Sequence, residues 1–101
     1  MVVEIKKIED IDAASDLELK HTPNVEIDGS RVKVTMGLKG IAHPQTEEHL
    51  IEWIRAISNG VLVCEVFFTA DEVPFAEFEV DSAENLVVQA LCNLHGIWQA
   101  P

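Results

Sequence analysis

The sequence predicts an all-β protein, an immunoglobulin-like antiparallel β-sandwich of about seven strands. Short segments in which apolar and polar residues alternate recur along the chain, separated by turn pairs such as Asp28-Gly29 and Asn59-Gly60. This spacing of short strands and turns is typical of sandwiches and barrels. Helical spacing competes with strand spacing only in residues 47–57, so little helix is expected.

The chain is predicted to consist of an N-terminal arm, residues 1–15, followed by one domain, residues 16–101. The arm begins with a short alternating segment around Val3 and Ile5, then becomes rich in acidic and small residues. With 101 residues, 48% of them hydrophobic, the chain is long enough to bury one core.

A β-hairpin is predicted from residue 24 onward. Alternating apolar residues stand on both sides of the turn Asp28-Gly29-Ser30, namely Val25, Ile27, Val32, Val34 and Met36. Gly37 and Gly40 then flank a loop that leads to His43-Pro44, and proline restricts the residue before it to extended conformations. His43 is therefore expected on a loop.

Residues 47–57 allow two interpretations. Leu50, Ile54 and Ile57 have helical spacing, but alternate residues from His49 onward would also share one face of a strand. The hairpin turn Asn59-Gly60 and the β-prone residues 61–68 favour a strand that pairs across the turn. Residues 76–80 and 86–91 are predicted to be further strands.

Charge and composition exclude several classes of function. Seven Lys and Arg against eighteen Asp and Glu give a net charge of -11, which repels nucleic acid. No stretch approaches the roughly 20 apolar residues of a membrane helix, and no secretory signal is recognisable, so we expect a cytoplasmic protein. An anionic substrate would need a local basic patch, for which Lys20, Lys33 and Lys39 are candidates.

All four histidines and one of the two cysteines lie beside turn residues. Taken singly, each is more simply explained as an ordinary surface or core residue. Together they would gather where a sandwich collects its loops, and Cys92 and His95 have a spacing that can chelate one metal. The candidate ligands are His21, His43, His49, Cys92 and His95.

The number of these donors favours iron over zinc. A structural zinc is satisfied by four ligands, whereas four imidazoles and a thiolate suit a square-pyramidal iron with one open position. Cys64 lies inside a β-prone run and is interpreted as a packed thiol rather than a disulfide partner. Trp53 and Trp98 are expected to pack in the core, with Trp98 shielding the site.

Three segments in this order resemble the superoxide reductase family, in its one-iron, neelaredoxin-type form, which corresponds to the iron-binding domain of desulfoferrodoxin. They are Lys20-His21-Thr22-Pro23, His43-Pro44 through His49 to Trp53-Ile54, and Cys92-Asn93-Leu94-His95-Gly96-Ile97-Trp98. The resemblance covers about residues 16–99.

The resemblance implies one iron ion per chain, held by the four histidines and by Cys92 as axial thiolate, and it makes residues 47–57 a strand. It also implies the one-electron reduction of superoxide to hydrogen peroxide, with an electron donor such as rubredoxin. Lys20 matches a lysine beside the open iron position, where its charge would attract superoxide. Members of the family commonly associate as dimers or tetramers, so a homo-oligomer is expected.

This sequence departs from the family pattern at Leu19, where a glutamate able to cap the oxidised iron is usual. Glu18 stands one place earlier, and in an extended segment its side chain would point the other way. We therefore expect an exchangeable sixth position on the oxidised iron. Two other functions stay open: a domain that a metal only staples together, and a pure electron-transfer domain.

Overall fold

The computed structural model describes residues 4–101 and contains eight strands and one short α-helix. In chain order the elements are β1 (Ile5–Lys7), a 3-10 turn (Ile11–Ala13), α1 (Asp16–His21), β2 (Pro23–Asp28), β3 (Arg31–Met36), β4 (Ile51–Ser58), β5 (Val61–Phe67), β6 (Phe75–Glu79), β7 (Leu86–Cys92) and β8 (Gly96–Gln99). None of the helical segments within residues 4–101 has the length and apolar character to cross a membrane.

The strands form two sheets, which confirms the predicted all-β sandwich. The larger sheet has the order β1-β8-β7-β4-β5, and the smaller sheet has the order β2-β3-β6. Every pairing is antiparallel except that of β1 with β8, which is parallel. The structure has eight strands within residues 4–101, whereas the sequence predicted about seven. The additional strand is β1, which lies inside the predicted N-terminal arm. Val3 lies outside the described residues, and the division into arm and domain stays a prediction.

The core lies between the two sheets because their facing side chains are apolar. Val32 and Val34 of β3 face Ile54 and Ala56 of β4, and all four are fully buried. Along β3, buried Val32 and Val34 alternate with exposed Arg31 and Lys33, and this alternation is the pattern that predicted the strand.

The predicted hairpins are present. β2 and β3 pair from Pro23↔Met36 to Asp28↔Arg31 around Gly29-Ser30, where Gly29 has a φ of +62°. β4 and β5 pair across Asn59-Gly60, so residues 51–58 form a strand and the helical interpretation of 47–57 was wrong. The strand expected over 47–57 begins only at Ile51, because residues 47–50 belong to the loop that carries His49. Burial on both faces of this central strand explains the mixed apolar spacing.

The helix α1 was not predicted. Ser15 accepts a hydrogen bond from the backbone of Glu18, and the Glu18 carboxylate accepts one from the backbone of Ser15 in return. This capping box begins a helix of only six residues, which ends with Lys20 and His21 in its last turn. The extended conformation assumed for residues 18–20 was therefore wrong.

Candidate metal centre

The five predicted ligands come from four different places in the chain. His21 is the last residue of α1, whereas His43 and His49 lie on the loop before β4. Cys92 is the last residue of β7, and His95 lies in the turn that leads into β8. The register Ile51↔Cys92 places the start of β4 beside the end of β7, so the loops converge there.

The four imidazole rings form a closed circuit. The ring centroids are 4.6 Å apart for His21 and His43, 4.6 Å for His43 and His49, 5.1 Å for His49 and His95, and 4.6 Å for His95 and His21. Across the circuit, His21 and His49 are 5.7 Å apart. This arrangement surrounds a common centre with one ring on each of four sides.

The donor atoms fit a single metal ion. One ligand atom each from His21, His43, His49 and Cys92 lies within 4.8 Å of all the others. Two opposite ligands that each lie ~2.0–2.3 Å from an ion are about 4–4.6 Å apart, so the span is close to what one ion requires. His95 is outside this set, but its Nδ1 lies 3.7 Å from Cys92 Sγ.

Three imidazole nitrogens at the centre lack hydrogen-bond partners although they are buried. They are the Nε2 atoms of His21, His43 and His49. A buried polar atom without a partner costs free energy unless something else binds it. A metal ion bound by these nitrogens would remove that cost, so the histidines fit the predicted iron.

Backbone carbonyls set the tautomers of two histidines. His21 Nδ1 lies 2.6 Å from Leu17 O, and His43 Nδ1 contacts Pro44 O. Because a carbonyl oxygen only accepts, each Nδ1 carries the proton and each Nε2 keeps its lone pair. Metal-binding histidines are commonly oriented by such contacts.

The electrostatics of the site keep these imidazoles neutral. The pKa of His21 and of His43 is lowered to about 4, chiefly by burial; the hydrogen bonds to Leu17 O and Pro44 O act in the opposite direction, and the neighbouring histidines and Lys20 add to the lowering. The pKa of His49 is also lowered, first by burial and then by His95 and Lys20. A neutral imidazole is the form that binds metal.

Lys20 lies close enough to the ring of histidines to act on three of them. Its positive charge lowers the pKa of His21, His43 and His49. The other two candidate lysines are engaged elsewhere. Lys39 Nζ lies 3.4 Å from Asp12, and Lys33 lies over the ring of Phe75. Among the three predicted basic candidates, Lys20 is therefore the one beside the site.

Neither residue before Lys20 supplies a carboxylate to the centre. Leu19 is 6% exposed and packs in the interior. The Glu18 carboxylate accepts hydrogen bonds from both the backbone and the hydroxyl of Ser15, each at 3.1 Å. Glu18 is thus held at the start of α1 and is not a substitute for the missing glutamate.

Trp98, expected to shield the site, is 6% exposed and stacks on His21 at 5.6 Å between centroids and 25° between planes. Trp53 is also buried. Cys64 is half-buried against the core, and burial raises the pKa of its thiol. In the structure Cys64 and Cys92 are both free thiols.

Two amides that the sequence reasoning missed hold the ligand loops together. Asn93 accepts a hydrogen bond from Leu50 N and donates one to Glu48 O, both at 3.0 Å, which joins the His49 loop to the Cys92 turn. Gln45 donates to Ile51 O and accepts from Ile51 N, both at 3.0 Å. Each of these amides lies in the sequence between two predicted ligands, and this position could have identified it as a supporting residue.

Comparison with known proteins agrees with this geometry. The desulfoferrodoxin family model matches residues 13–101. A desulfoferrodoxin homolog from Archaeoglobus fulgidus is 37% identical over 94 residues, which are 93% of this chain and 72% of that protein. A desulfoferrodoxin from Nitratidesulfovibrio vulgaris is 41% identical over 81 residues, which are 80% of this chain and 61% of that protein.

A solved superoxide reductase (1Fe-SOR) from Giardia intestinalis has the same fold, with a TM-score of 0.69 and 31% sequence identity over 79% of this chain and 93% of that chain. The chain spans 61% and 72% of the lengths of the two desulfoferrodoxin relatives. The match to the family model extends over most of the sequence and includes all five candidate ligands. The chain therefore belongs to the desulfoferrodoxin family.

Proposed function

We propose that this chain is a superoxide reductase. One iron ion would be held by the five predicted ligands, His21, His43, His49, His95 and Cys92, and superoxide would be reduced to hydrogen peroxide. The observation that carries the proposal is the closed circuit of four imidazoles with a buried thiol beside it. The similarity to solved superoxide reductases supports the same activity.

The reaction consumes one superoxide anion, one electron and two protons, and yields one hydrogen peroxide. When bound, the iron supplies the electron by changing from its ferrous to its ferric state. An external donor must then return one electron per cycle, for which we propose a small redox protein such as rubredoxin. The two protons come from solvent.

Lys20 is proposed as the catalytic side chain. A net charge of -11 repels an anionic substrate over most of the surface, so a local positive charge is needed near the centre. The ammonium group of Lys20 would attract superoxide and would stabilise the negative charge that grows on the oxygen atoms as the electron arrives.

The centre is buried on the side where Cys92 and Trp98 lie. Cys92 is 1% exposed, so its sulfur is shielded from water, and on binding an iron ion it would serve as the thiolate ligand. Trp98 covers the outer face of His21. His49 and His95 are only partly buried, which leaves the approach to the ring open on their side.

Replacing Lys20 tests the catalytic assignment. We expect Lys20→Ala to retain its iron but to react with superoxide at least about tenfold more slowly at low ionic strength, because local steering is lost. The measurement is the second-order rate constant after superoxide is generated by pulse radiolysis. Lys39→Ala is the matched control, since Lys39 is paired with Asp12.

An unchanged rate constant in Lys20→Ala with full iron content would contradict the role of Lys20. A colourless protein that holds zinc in stoichiometric amount and does not react with superoxide would instead support a metal-stapled domain. A redox-active iron that accepts and returns electrons but leaves superoxide unreacted would support an electron-transfer domain. Cytoplasmic location and homo-oligomeric assembly, as a dimer or tetramer, stay predictions.

A further inference from the structure

We propose that Lys6 of β1 is a positioning residue for the metal centre. Its ammonium group would hold the carbonyl of His95 and thereby fix how the His95 ring enters the circuit of imidazoles. Lys6 lies before residues 13–101, the part of the chain that the family model matches. The proposal rests on the metal centre proposed above.

The contact is direct. Lys6 Nζ donates a hydrogen bond of 2.9 Å to His95 O. The indole Nε1 of Trp98 donates to the same oxygen at 3.1 Å, so both lone pairs of this carbonyl are used. The peptide group that follows His95 is therefore held from two sides.

The sheet explains why these two donors converge. β1 pairs in parallel with β8, and the register places Lys6 opposite Trp98. Neighbouring residues in register extend their side chains to the same face of a sheet, and the Lys6 ammonium lies 5.5 Å from the centroid of the Trp98 ring. The Lys6 ammonium thus contacts the Trp98 ring, and both side chains donate to the carbonyl of His95.

In the part of the chain that the structure describes, His95 lacks the backbone carbonyl contact that orients the rings of His21 and His43. Within residues 4–101, backbone carbonyls receive the Nδ1 atoms of His21 and His43, whereas the Nδ1 of His95 faces only Cys92 Sγ. The turn that carries His95 also includes Leu94, which is 60% exposed. The ring orientation of His95 is thus set mainly by its own backbone, which Lys6 and Trp98 hold.

A contact with a ligand's backbone affects how firmly the metal is held. Removing a group that orients a metal ligand commonly weakens metal affinity by about 10- to 100-fold. The Lys6 hydrogen bond is charge-assisted and half-buried, so water replaces it poorly. Loss of this bond should loosen His95 while the other ligands stay in place.

The test compares Lys6→Met, Lys6→Arg and Lys7→Met in the full chain loaded with cobalt(II). Methionine keeps most of the length of lysine but cannot donate, arginine keeps a charged donor, and Lys7 is an exposed neighbour on the same strand. The readouts are the rate of cobalt loss to an excess of chelator and the visible spectrum of the bound cobalt. Thermal melting of the metal-free proteins shows whether the fold is intact.

We expect Lys6→Met to lose cobalt at least about tenfold faster, with an altered cobalt spectrum and a metal-free form that still unfolds cooperatively. Lys6→Arg should restore most of the retention, and Lys7→Met should behave like the unaltered protein. Wild-type retention and spectrum in Lys6→Met would overturn the proposal, as would equal acceleration in Lys7→Met. If the unaltered protein binds no metal, the proposed metal centre itself is wrong.

Discussion

At the scale of single residues, two of the four histidines of the centre, His21 and His43, are oriented by groups close to them in the chain. His21 donates to the carbonyl four residues earlier in the same helix, and His43 donates to the carbonyl of the next residue. These short-range bonds free Nε2 on both rings and require no long-range packing. Contacts within the same short segment therefore fix the orientation of these two rings without a bound metal.

The histidine pKa values predict how the metal-free protein responds to acid. The pKa of His21 and of His43 is about 4 in the folded protein, compared with 6.5 ordinarily. Between these values the unfolded chain binds more protons than the folded chain, so the free energy of unfolding falls as pH falls from about 6.5 to about 4.

We therefore expect the melting temperature of the metal-free protein to decrease steadily between pH 7 and pH 5, where most carboxyl groups are still ionised. Differential scanning calorimetry in buffers of equal ionic strength measures it. His43→Gln should flatten part of this dependence. A melting temperature that is constant over this range would contradict the assigned histidine environments.

The position of Glu18 predicts the behaviour of the oxidised iron. Since Leu19 is buried and Glu18 caps α1, no carboxylate from this segment reaches the centre. We expect azide or cyanide to bind the ferric protein readily and to shift its visible spectrum. Failure of both anions to change the spectrum would show that another group closes the sixth position.

At the scale of elements, the hairpins were predictable and the helix was not. The hairpin turns contain Asn59, Gly60 and Gly29, residues that readily adopt the positive φ found there, so the strands on either side follow from local chemistry. The six residues of α1 are too few to show helical periodicity, and only the Ser15-Glu18 capping pair marks their start. Strand β1 has just three residues and depends on its pairing with β8.

The loop between β3 and His43 makes a separate prediction. Gly37 has a φ of +93°, and a Cβ added there would lie 1.9 Å from Ile41 O. Gly40 also has a positive φ, +74°, but a Cβ added there meets no atom within 4 Å. A residue with a side chain would be strained at either position, but only at position 37 would its Cβ also clash with the backbone.

Gly40→Ala should cost about 1 kcal/mol of stability from the positive φ alone. Gly37→Ala should cost several kcal/mol more, because the backbone must move, and it should displace the loop that carries His43. Urea unfolding of the metal-free variants measures the difference. Equal destabilisation of the two variants would contradict the tight turn at Gly37.

At the scale of the whole molecule, the sandwich explains why ligands far apart in sequence meet. His21 and His95 are separated by most of the chain, yet their rings are 4.6 Å apart because α1, the loop before β4 and the β7–β8 turn lie at the same end of the sheets. The residue types and turn positions predicted this gathering. The contact of Lys6 with His95 could not be predicted, since it depends on the register between β1 and β8, whereas Gln45 and Asn93 were marked by their positions between predicted ligands.

We propose that this chain reduces superoxide without releasing dioxygen. The most direct test of this proposal is to mix the ferrous protein with a known amount of superoxide and to measure hydrogen peroxide and dioxygen together. We predict one hydrogen peroxide for each superoxide consumed, one iron oxidised, and no dioxygen. One hydrogen peroxide for every two superoxides, with dioxygen released, would contradict it, and so would superoxide decay at the rate seen without protein.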